Sequence, residues 1–306
     1  MGHSHNHGMP ASAGMMHRRR LVVVLAITAA VVIVQVVGAV VSDSLALLAD
    51  AGHMFTDVVG LSLALFAVTI AGRSATPERT FGYYRVEILA ALANAVLLVA
   101  VATFILWEAW QRWDDPPEVH GGLMLVFATV GLVANLVGLL VLRSGASESL
   151  TIRGAYLEVL GDLLGSAAVI IAALVIATTD WTRADVVASV LVALMILPRT
   201  WSLLREAVDV LLEATPRGVD LVEVRRHILE VDGVLDAHDL HAWTITSGLP
   251  VLSVHVVVDD AVLSDPGGAR VLDRLGQCLG EHFDVEHCTF QLEPVGHVDH
   301  ESHVHH

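Results

Sequence analysis

Lysine is absent from the 306-residue chain, and all 17 basic residues are arginine. This excludes a mechanism that needs a P-loop lysine or a lysine Schiff base, so ATP hydrolysis of the Walker type is not expected. Charged residues are scarce at 16%, whereas 55% of the residues are hydrophobic and the mean hydropathy is +0.66. A chain this apolar does not suit a soluble domain and belongs in a lipid bilayer.

Cysteine is also scarce, and the acidic residues are unevenly distributed. Cys278 and Cys288 are too few for a disulfide framework and do not have CxxC spacing. Residues 207–306 contain 18 Asp and Glu against 5 Arg, whereas residues 1–206 contain 15 against 12. The acidic last third attracts cations and repels nucleic acid, which is therefore not an expected partner.

Six apolar runs are long enough to cross about 30 Å of hydrocarbon. They lie at residues 20–40, 45–71, 86–110, 119–142, 154–178 and 184–204. A secretory signal is the competing interpretation of residues 18–38, but this run is long and five more follow it. The sequence favours a retained first helix.

Arginines near these runs are concentrated on one side of the membrane. The richer side has Arg18, Arg19, Arg20, Arg73, Arg79, Arg85, Arg143, Arg153, Arg199 and Arg205. The other side has only Arg112 and Arg183. The positive-inside rule therefore predicts that both termini are cytoplasmic, in a protein integral to the plasma (inner) membrane.

The chain after Leu211 has the pattern of a small soluble domain. Alternating and helical periodicities predict an αββαβ order, with helices at 219–231 and 268–283 and strands at 236–246, 251–258 and 287–292. This order predicts a ferredoxin-like α+β cytoplasmic domain with one compact core. The fold class is therefore an α-helical membrane protein with six transmembrane helices and an α+β cytoplasmic domain.

Histidine, by contrast, is abundant, with 17 residues, many of them at the two ends. The predicted divisions are a disordered histidine-rich tail at 1–17, the membrane domain at 18–206, the cytoplasmic domain at 207–295 and a second histidine-rich tail at 296–306. The tail histidines are His3, His5, His7, His17, His297, His300, His303, His305 and His306. Their role is either metal capture or none.

Ionisable residues occur inside two of the apolar runs, where they are costly. His53 and Asp57 lie four residues apart in the second run, and Glu158 and Asp162 lie four apart in the fifth. A charge near the bilayer centre costs about 2.5–3.5 kcal/mol. Each pair lies on one helical face, so two facing helices would present one imidazole and three carboxylates. Four such ligands suffice for a tetrahedral divalent metal.

The alternative is that these residues only form hydrogen bonds between helices, at about 0.6 kcal/mol per contact. Three acids without an intramembrane arginine to neutralise them favour a bound cation instead. Asp50 shares the face of His53 and is either a solvated residue near the helix end or an acid on the exit path. Helix–helix hydrogen bonds are expected from three single polar residues: Gln35, Asn94 and Asn135.

Taken together, these features resemble the cation diffusion facilitator family of zinc and related divalent-metal exporters driven by proton exchange. The resemblance covers nearly the whole chain and includes SLALLADAGH at 44–53, TFGY at 80–83, GD at 161–162 and HDLHAW at 238–243. It implies a homodimer in which the second and fifth helices hold the transported ion. Zinc-type members carry His-x-x-x-Asp in both helices, a pattern that His53, Asp57 and Asp162 match and Glu158 does not.

The carboxylate of Glu158 makes the predicted site harder and adds one negative charge. Zinc remains the expected cargo because affinity follows the Irving–Williams order and one histidine is retained. Manganese or ferrous iron is the alternative, since both tolerate oxygen-rich sites. Protons that leave the ligands when metal binds would couple export to proton entry. No organic cofactor is expected.

The resemblance also implies metal binding in the cytoplasmic domain, where Zn²⁺ would act as a regulatory ion. The candidate ligands are His241, His255, His287 and Glu293, with His238 as an alternate. The competing interpretation is that these are exposed or hydrogen-bonded histidines of a sheet. A bound ion would reduce the repulsion between the acidic domains of two protomers.

Two other functional classes fit parts of the sequence. A zinc-dependent membrane enzyme is disfavoured because the apolar runs contain neither His-Glu-x-x-His nor a cysteine nucleophile. A membrane metal sensor would not need four ligands within the bilayer. The sequence therefore predicts a secondary transporter rather than an enzyme, with divalent cations, protons and the bilayer as its partners.

Overall fold

The computed structural model describes residues 11–143, 150–263, 267–283, 285 and 287–297. Six long helices come first: α1 (Ala11–Ser42), α2 (Leu45–Ala71), α3 (Arg85–Gln111), α4 (Gly121–Arg143), α5 (Leu150–Thr179) and α6 (Arg183–Leu211). They are followed by α7 (Leu221–Leu229), β1 (Val234–Thr244), β2 (Pro250–Val258), α8 (Gly267–Phe283) and β3 (His287–Glu293). The predicted element order is confirmed, although α6 continues past the predicted limit of residue 204.

The six long helices have the length and polarity of membrane spans. Among the described residues, six stretches of 21 to 29 residues are apolar enough to cross a bilayer. Large apolar side chains cover their outer surface, including Val40 and Ile171, which are 76% and 62% exposed. Such a surface would be unfavourable in water and suits contact with lipid. The predicted six-helix membrane protein is confirmed.

A buried hydrogen-bonded cap fixes the start of α2. The Ser44 hydroxyl accepts a hydrogen bond from the Leu47 backbone N–H at 3.1 Å, as an N-cap serine does. The carboxylate of Asp185, in α6, accepts hydrogen bonds from Leu45 N–H at 2.7 Å and Ala46 N–H at 3.2 Å. An anion at this end also complements the helix dipole. The cap attaches α2 to α6 two turns before the ionisable residues of α2.

Helices α1 and α4 approach each other closely because glycine faces their contact. A Cβ atom on Gly131 would lie 2.2 Å from Gln35 Nε2, and one on Gly38 would lie 2.3 Å from the Phe127 ring. A side chain at either position would force Gln35 or Phe127 to move, so glycine allows these helices to approach without displacing a neighbour. These helices belong to a compact unit formed by Met1–Leu65 and Ala93–Leu203.

The second compact unit, Phe66–Leu92 and Leu204–His306, contains the α+β domain. Its described residues include a three-stranded sheet in the order β1-β2-β3, in which β1 and β2 are antiparallel and β2 and β3 are parallel. Helix α8 supplies the crossover that parallel strands require. The core lies between this sheet and the two helices, with Ile228 of α7, Leu275 of α8 and Leu252 of β2 fully buried. The predicted α+β domain is confirmed.

Candidate divalent cation sites

Helices α2 and α5 bring three of the four predicted intramembrane ligands together. His53 and Asp57 lie one turn apart on α2, and His53 Nε2 is 3.8 Å from Asp57 Oδ2. Asp162 approaches from α5, with its Oδ1 3.3 Å from His53 Nε2. One ligand atom from each of the three residues lies within 4.8 Å of the other two. These distances allow one cation to contact all three side chains.

The potential ligand atoms of this cluster are buried and incompletely satisfied. The side chains of His53, Asp57 and Asp162 are 15%, 14% and 4% exposed. Asp57 Oδ2 and Asp162 Oδ1, the carboxylate oxygens that face His53 Nε2, have no hydrogen-bond partner among the described residues. A buried polar atom without a partner is costly, so such groups call for a bound ion or water. The arrangement suits a cation better than helix–helix hydrogen bonds.

Glu158, the fourth predicted ligand, is paired with an arginine. Arg199 Nη2, on α6, donates a hydrogen bond to Glu158 Oε1 at 2.8 Å. The expectation that no arginine neutralises the intramembrane acids is therefore wrong for Glu158. The sequence assigned Arg199 to the membrane surface, but its long side chain reaches the carboxylate. Glu158 is not part of the three-residue group at ligand distance.

Two cavities border the intramembrane cluster. One of about 190 Å³ is lined by residues that include Asp50, His53 and Asp57, and another of about 390 Å³ by residues that include Asp57 and Asp162. The Glu158–Arg199 pair lines both. The cluster thus has space beside it for an ion that enters or leaves.

Asp50 belongs to a buried polar network. It is 1% exposed and accepts hydrogen bonds from Gln35 Nε2 at 2.8 Å and from Ser166 Oγ at 3.0 Å. Asn135 Nδ2 donates to Ser166 Oγ at 3.3 Å. The possibility that Asp50 is a solvated residue near the helix end is therefore wrong, because α1, α4 and α5 enclose it. The predicted helix–helix hydrogen bonds of Gln35 and Asn135 are confirmed.

Asn94 does not follow the same pattern. Its Oδ1 has no hydrogen-bond partner among the described residues, and its side chain lines both cavities. A Cβ atom on Gly60 would lie 2.5 Å from Asn94 Nδ2, so this glycine gives the amide its room. Asn94 is therefore a polar wall residue of the cavities beside the cation cluster.

A second cluster lies on the sheet of the cytoplasmic domain. His238 and His255 are directly opposite each other on β1 and β2, with ring centres 5.2 Å apart. Glu293, at the end of β3, places Oε1 2.8 Å from His255 Nδ1 and Oε2 3.5 Å from His238 Nε2. The three side chains meet the distance requirement for one shared cation. The sequence named His238 only as an alternate ligand. In the structure it meets His255 and Glu293, two of the four ligands that the sequence favoured.

The structure does not bring His241 and His287 to this second cluster. His241 pairs with Ser253 and lies one cross-strand pair further from Glu293, next to a bulge where Asp239 has a φ of 47°. His287 and Glu293 are at opposite ends of β3, about 20 Å apart at the rise of a strand. The His287 ring instead contacts Phe81, with ring centres 5.4 Å apart.

A third cluster was missed by sequence reasoning. His227 of α7 meets Cys278 and His282 of α8, again with one ligand atom from each within 4.8 Å of the others. The four-residue spacing of Cys278 and His282 on a helix was the available signal, but Cys278 was considered for a disulfide framework or CxxC motif and not together with His282. The histidines at 3, 5, 7, 300, 303, 305 and 306 lie outside the described residues.

Two family models match the chain along nearly its whole length. The model described as "Cation efflux transmembrane domain" matches residues 21–212, and that described as "Cation efflux protein, cytoplasmic domain" matches residues 216–295. The second is a dimerisation domain. The boundary between the two matches falls between α6 and α7.

Curated proteins similar to the chain are named as metal transporters. The metal cation efflux system protein CzcD of Cupriavidus metallidurans is 48% identical over 96% of this chain and 90% of its own length. The zinc transporter ZitB of Escherichia coli is 41% identical over 96% of this chain and 93% of its own length. A cadmium, cobalt and zinc/H⁺–K⁺ antiporter of Bacillus subtilis is 38% identical over 97% of this chain and 93% of its own length.

One similar solved structure corresponds to part of the chain. It is the metal-bound C-terminal domain of the CzcD transporter from C. metallidurans, with 48% sequence identity and a TM-score of 0.23. The match covers 24% of this chain and 99% of that structure.

Proposed function

Because this chain belongs to the cation diffusion facilitator family of membrane cation efflux transporters, we propose that it exports Zn²⁺ from the cytoplasm in exchange for protons. The observation that carries the proposal is the convergence of His53, Asp57 and Asp162 from two helices, within 4.8 Å of one another. Membership of a family of transporters supports a transport function for this chain rather than an enzymatic one. The cluster supplies the place where a cation would cross.

Zinc is the proposed cargo because the ligands present suit it. One imidazole and two carboxylates form a borderline set that leaves a fourth tetrahedral position open, as a labile zinc site requires. Manganese or iron would be favoured if Glu158 also coordinated the ion. However, Arg199 already holds that carboxylate at 2.8 Å, which leaves the site less oxygen-rich than four residues would make it. The names of the relatives agree with zinc and include cadmium and cobalt.

The charge of the cluster supports the proposed proton exchange. With His53 neutral, Asp57 and Asp162 together carry two negative charges, and the Glu158–Arg199 pair adds none. One divalent ion or protons on the two carboxylates can balance that charge. Since metal and protons compete for the same oxygens, loading from one side releases protons and protonation from the other releases metal. The antiporter name of the B. subtilis relative supports this cycle.

The remaining parts of the proposal concern arrangement in the membrane. We place both termini in the cytoplasm of a bacterial inner-membrane protein, on the basis of the arginine distribution. We propose the divisions 1–17, 18–206, 207–295 and 296–306 for the two tails and two domains, although α1 begins at Ala11, within the first tail, and α6 continues to Leu211. The dimerisation model supports a homodimer.

A regulatory Zn²⁺ is proposed for the cluster of His238, His255 and Glu293. Glu293 is only 1% exposed, and its Oε2 has no hydrogen-bond partner among the described residues. A divalent ion would neutralise this buried carboxylate and reduce the negative charge of the domain. Cytoplasmic zinc would in this way favour association of two acidic domains.

The proposal is tested by zinc uptake into proteoliposomes containing the purified full chain, with the lumen made acidic. We expect a pH gradient to drive uptake and Asp57→Asn to abolish it. Asp114→Asn, in an exposed loop, is the matched control and should transport normally. Uptake that ignored the gradient would contradict proton exchange, and binding without uptake by the wild type would indicate a metal sensor instead.

A further inference from the structure

The third cluster connects the two helices of the cytoplasmic domain. His227 lies near the end of α7, while Cys278 and His282 are one turn apart on α8. The Cys278 sulfur is 3.6 Å from His227 Nδ1, and the two imidazole rings have centres 4.7 Å apart. The His227 ring also meets the edge of the Phe283 ring at 5.2 Å. Nitrogen and sulfur donors from two elements thus converge on one point.

Neighbouring groups engage one nitrogen of each imidazole ring, and this decides which nitrogen is available to a metal. His282 Nδ1 is 2.9 Å from the Cys278 carbonyl oxygen, and donation of its N–H there leaves Nε2 as the basic nitrogen. His227 Nε2 is 3.4 Å from Glu223 Oε1. Arg226 Nη2, which can only donate, is 3.1 Å from the same Nε2, so in the metal-free protein Nε2 accepts and Nδ1, the atom next to the sulfur, carries the proton. For Nδ1 to bind a metal, that proton must leave it, and an Nε2–H formed in its place would donate to the Glu223 carboxylate. A carboxylate behind a ligating histidine is a common arrangement in metal sites.

Arginine lies beside the cluster but its charge is balanced. Arg226 Nη2 is 3.1 Å from His227 Nε2. The same guanidinium is hydrogen-bonded to Glu223 and to Glu230 on the surface of α7. Two carboxylates therefore offset the one positive charge, and the field near His227 does not oppose the approach of a cation.

We propose that His227, Cys278 and His282 form an additional cation site that takes a thiophilic divalent ion, Cd²⁺ or Zn²⁺. Two imidazoles and a thiolate make this the softest donor set of the three clusters, since the other two rely on carboxylates. On binding, the Cys278 S–H bond breaks, its proton passes to solvent and a sulfur–metal bond forms. Water completes the coordination, because His282 is exposed.

An ion at this position would tie α7 to α8 on the same side of the sheet. Both helices contribute to the core of the domain through Ile228 and Leu275. The ion would therefore stabilise the cytoplasmic domain in proportion to its concentration. This inference does not depend on the proposed transport cycle, because the intramembrane cluster contains no sulfur.

The two cysteines of the chain make a direct test possible. Titration of the purified full chain with Cd²⁺ should produce an ultraviolet thiolate-to-cadmium charge-transfer band that saturates at one ion per chain. Cys278→Ser should abolish the band. Cys288→Ser is the matched control and should retain it, because that sulfur donates to the Val285 carbonyl oxygen at 3.3 Å and is outside the three groups. A band that persisted in Cys278→Ser, or its absence in the wild type, would overturn the proposal.

Alkylation of the unmodified chain provides a measurement that does not depend on the folding of variants. Cd²⁺ or Zn²⁺ should slow iodoacetamide modification of Cys278 by at least about tenfold, since coordination removes the free thiolate. The rate at Cys288 should not change. Equal slowing at both positions, or none at Cys278, would contradict the site.

The carboxylate behind His227 allows a further matched pair of variants. Glu223→Gln should weaken cadmium affinity about 10–100-fold, as loss of an outer-shell partner does. Glu230→Gln removes the other carboxylate bonded to Arg226 and should leave the affinity unchanged. The same effect from both substitutions would mean that only surface charge matters, and would refute the assigned ligand geometry.

Discussion

Replacement of Asp162 by Asn tests whether the intramembrane carboxylates are present to hold an ion. The side chain is 4% exposed, and its Oδ1 has no hydrogen-bond partner among the described residues. A charged aspartate near the bilayer centre costs about 2.5–3.5 kcal/mol. Without metal, we therefore expect Asp162→Asn to leave the free energy of unfolding unchanged or to raise it by up to about 3 kcal/mol.

With zinc present, we expect the wild type to become more stable than Asp162→Asn. An ion at 100 times its Kd stabilises the folded state by about 2.7 kcal/mol, which corresponds to a rise of about 4 °C in Tm for a chain of this size. Asp162→Asn removes one of three ligands and should lose most of that rise. Asp114→Asn, the exposed control, should keep it.

The assay is thermal unfolding of each purified full-length variant with and without Zn²⁺. Both variants retain every other metal-binding group, so the difference between their zinc-induced shifts in Tm reports the intramembrane cluster alone. If Asp162 only bonded one helix to another, the substitution would lower Tm in both conditions and leave the zinc-induced shift intact. Either finding would refute the assignment of Asp162 as a ligand.

Three further predictions follow from single contacts. Glu158→His, which removes the partner of Arg199, should shift the zinc-to-manganese ratio toward zinc in proteoliposome competition; an unchanged ratio would show that position 158 does not set selectivity. Gly131→Ala should destabilise the protein by about 1–3 kcal/mol in thermal unfolding. Gly122→Ala, with open space around its Cβ position, should not, and equal effects would contradict the close helix approach. Burial raises the pKa of the Cys288 thiol, so its alkylation at neutral pH should be slower than that of an exposed cysteine and should increase as pH rises. An alkylation rate of Cys288 equal to that of free cysteine would contradict this prediction.

Periodicity was sufficient to predict the elements of this fold because each has a simple pattern. The predicted run at 45–71 coincides with α2, Leu45–Ala71, since apolar length alone defines a span. The strand predicted at 251–258 differs from β2 by one residue at its start. Helix α6 was underestimated because its last turns, beyond residue 204, carry charged residues that end an apolar run without ending the helix.

Contacts across long sequence separations could not be predicted in the same way. Glu158 and Arg199 are 41 residues apart, and a count of arginines per membrane side does not show how far a side chain reaches. His227 and Cys278 are 51 residues apart, so only the packing of α7 against α8 shows that they meet. The i,i+4 pairs on α2 and α5 were different, because helix geometry already places each pair on one face.

The HDLH segment shows why a motif can indicate a site without identifying its ligand. Both histidines are compatible with the pattern, and the choice depends on the register between β1 and β2. The bulge at Asp239 inserts an extra residue between them, so His238 faces His255 while His241 faces Ser253. His255 and Ser253 are two residues apart on β2, so His241 lies about 7 Å farther than His238 along the sheet from Glu293, at the end of β3.

The three clusters differ in donor chemistry in a way that matches what each would need to do. A transported ion must leave as well as enter, and carboxylates that exchange metal for protons permit this. The proposed transport site of His53, Asp57 and Asp162 would provide such a set, and its residues line two cavities. A thiolate holds soft metals more firmly, which would hinder release at every cycle but suits an ion that remains in place. The apolar runs contain no cysteine, which is consistent with a cargo that passes through oxygen and nitrogen ligands only. Cys278 lies outside these runs, where a firmly held ion would not slow transport.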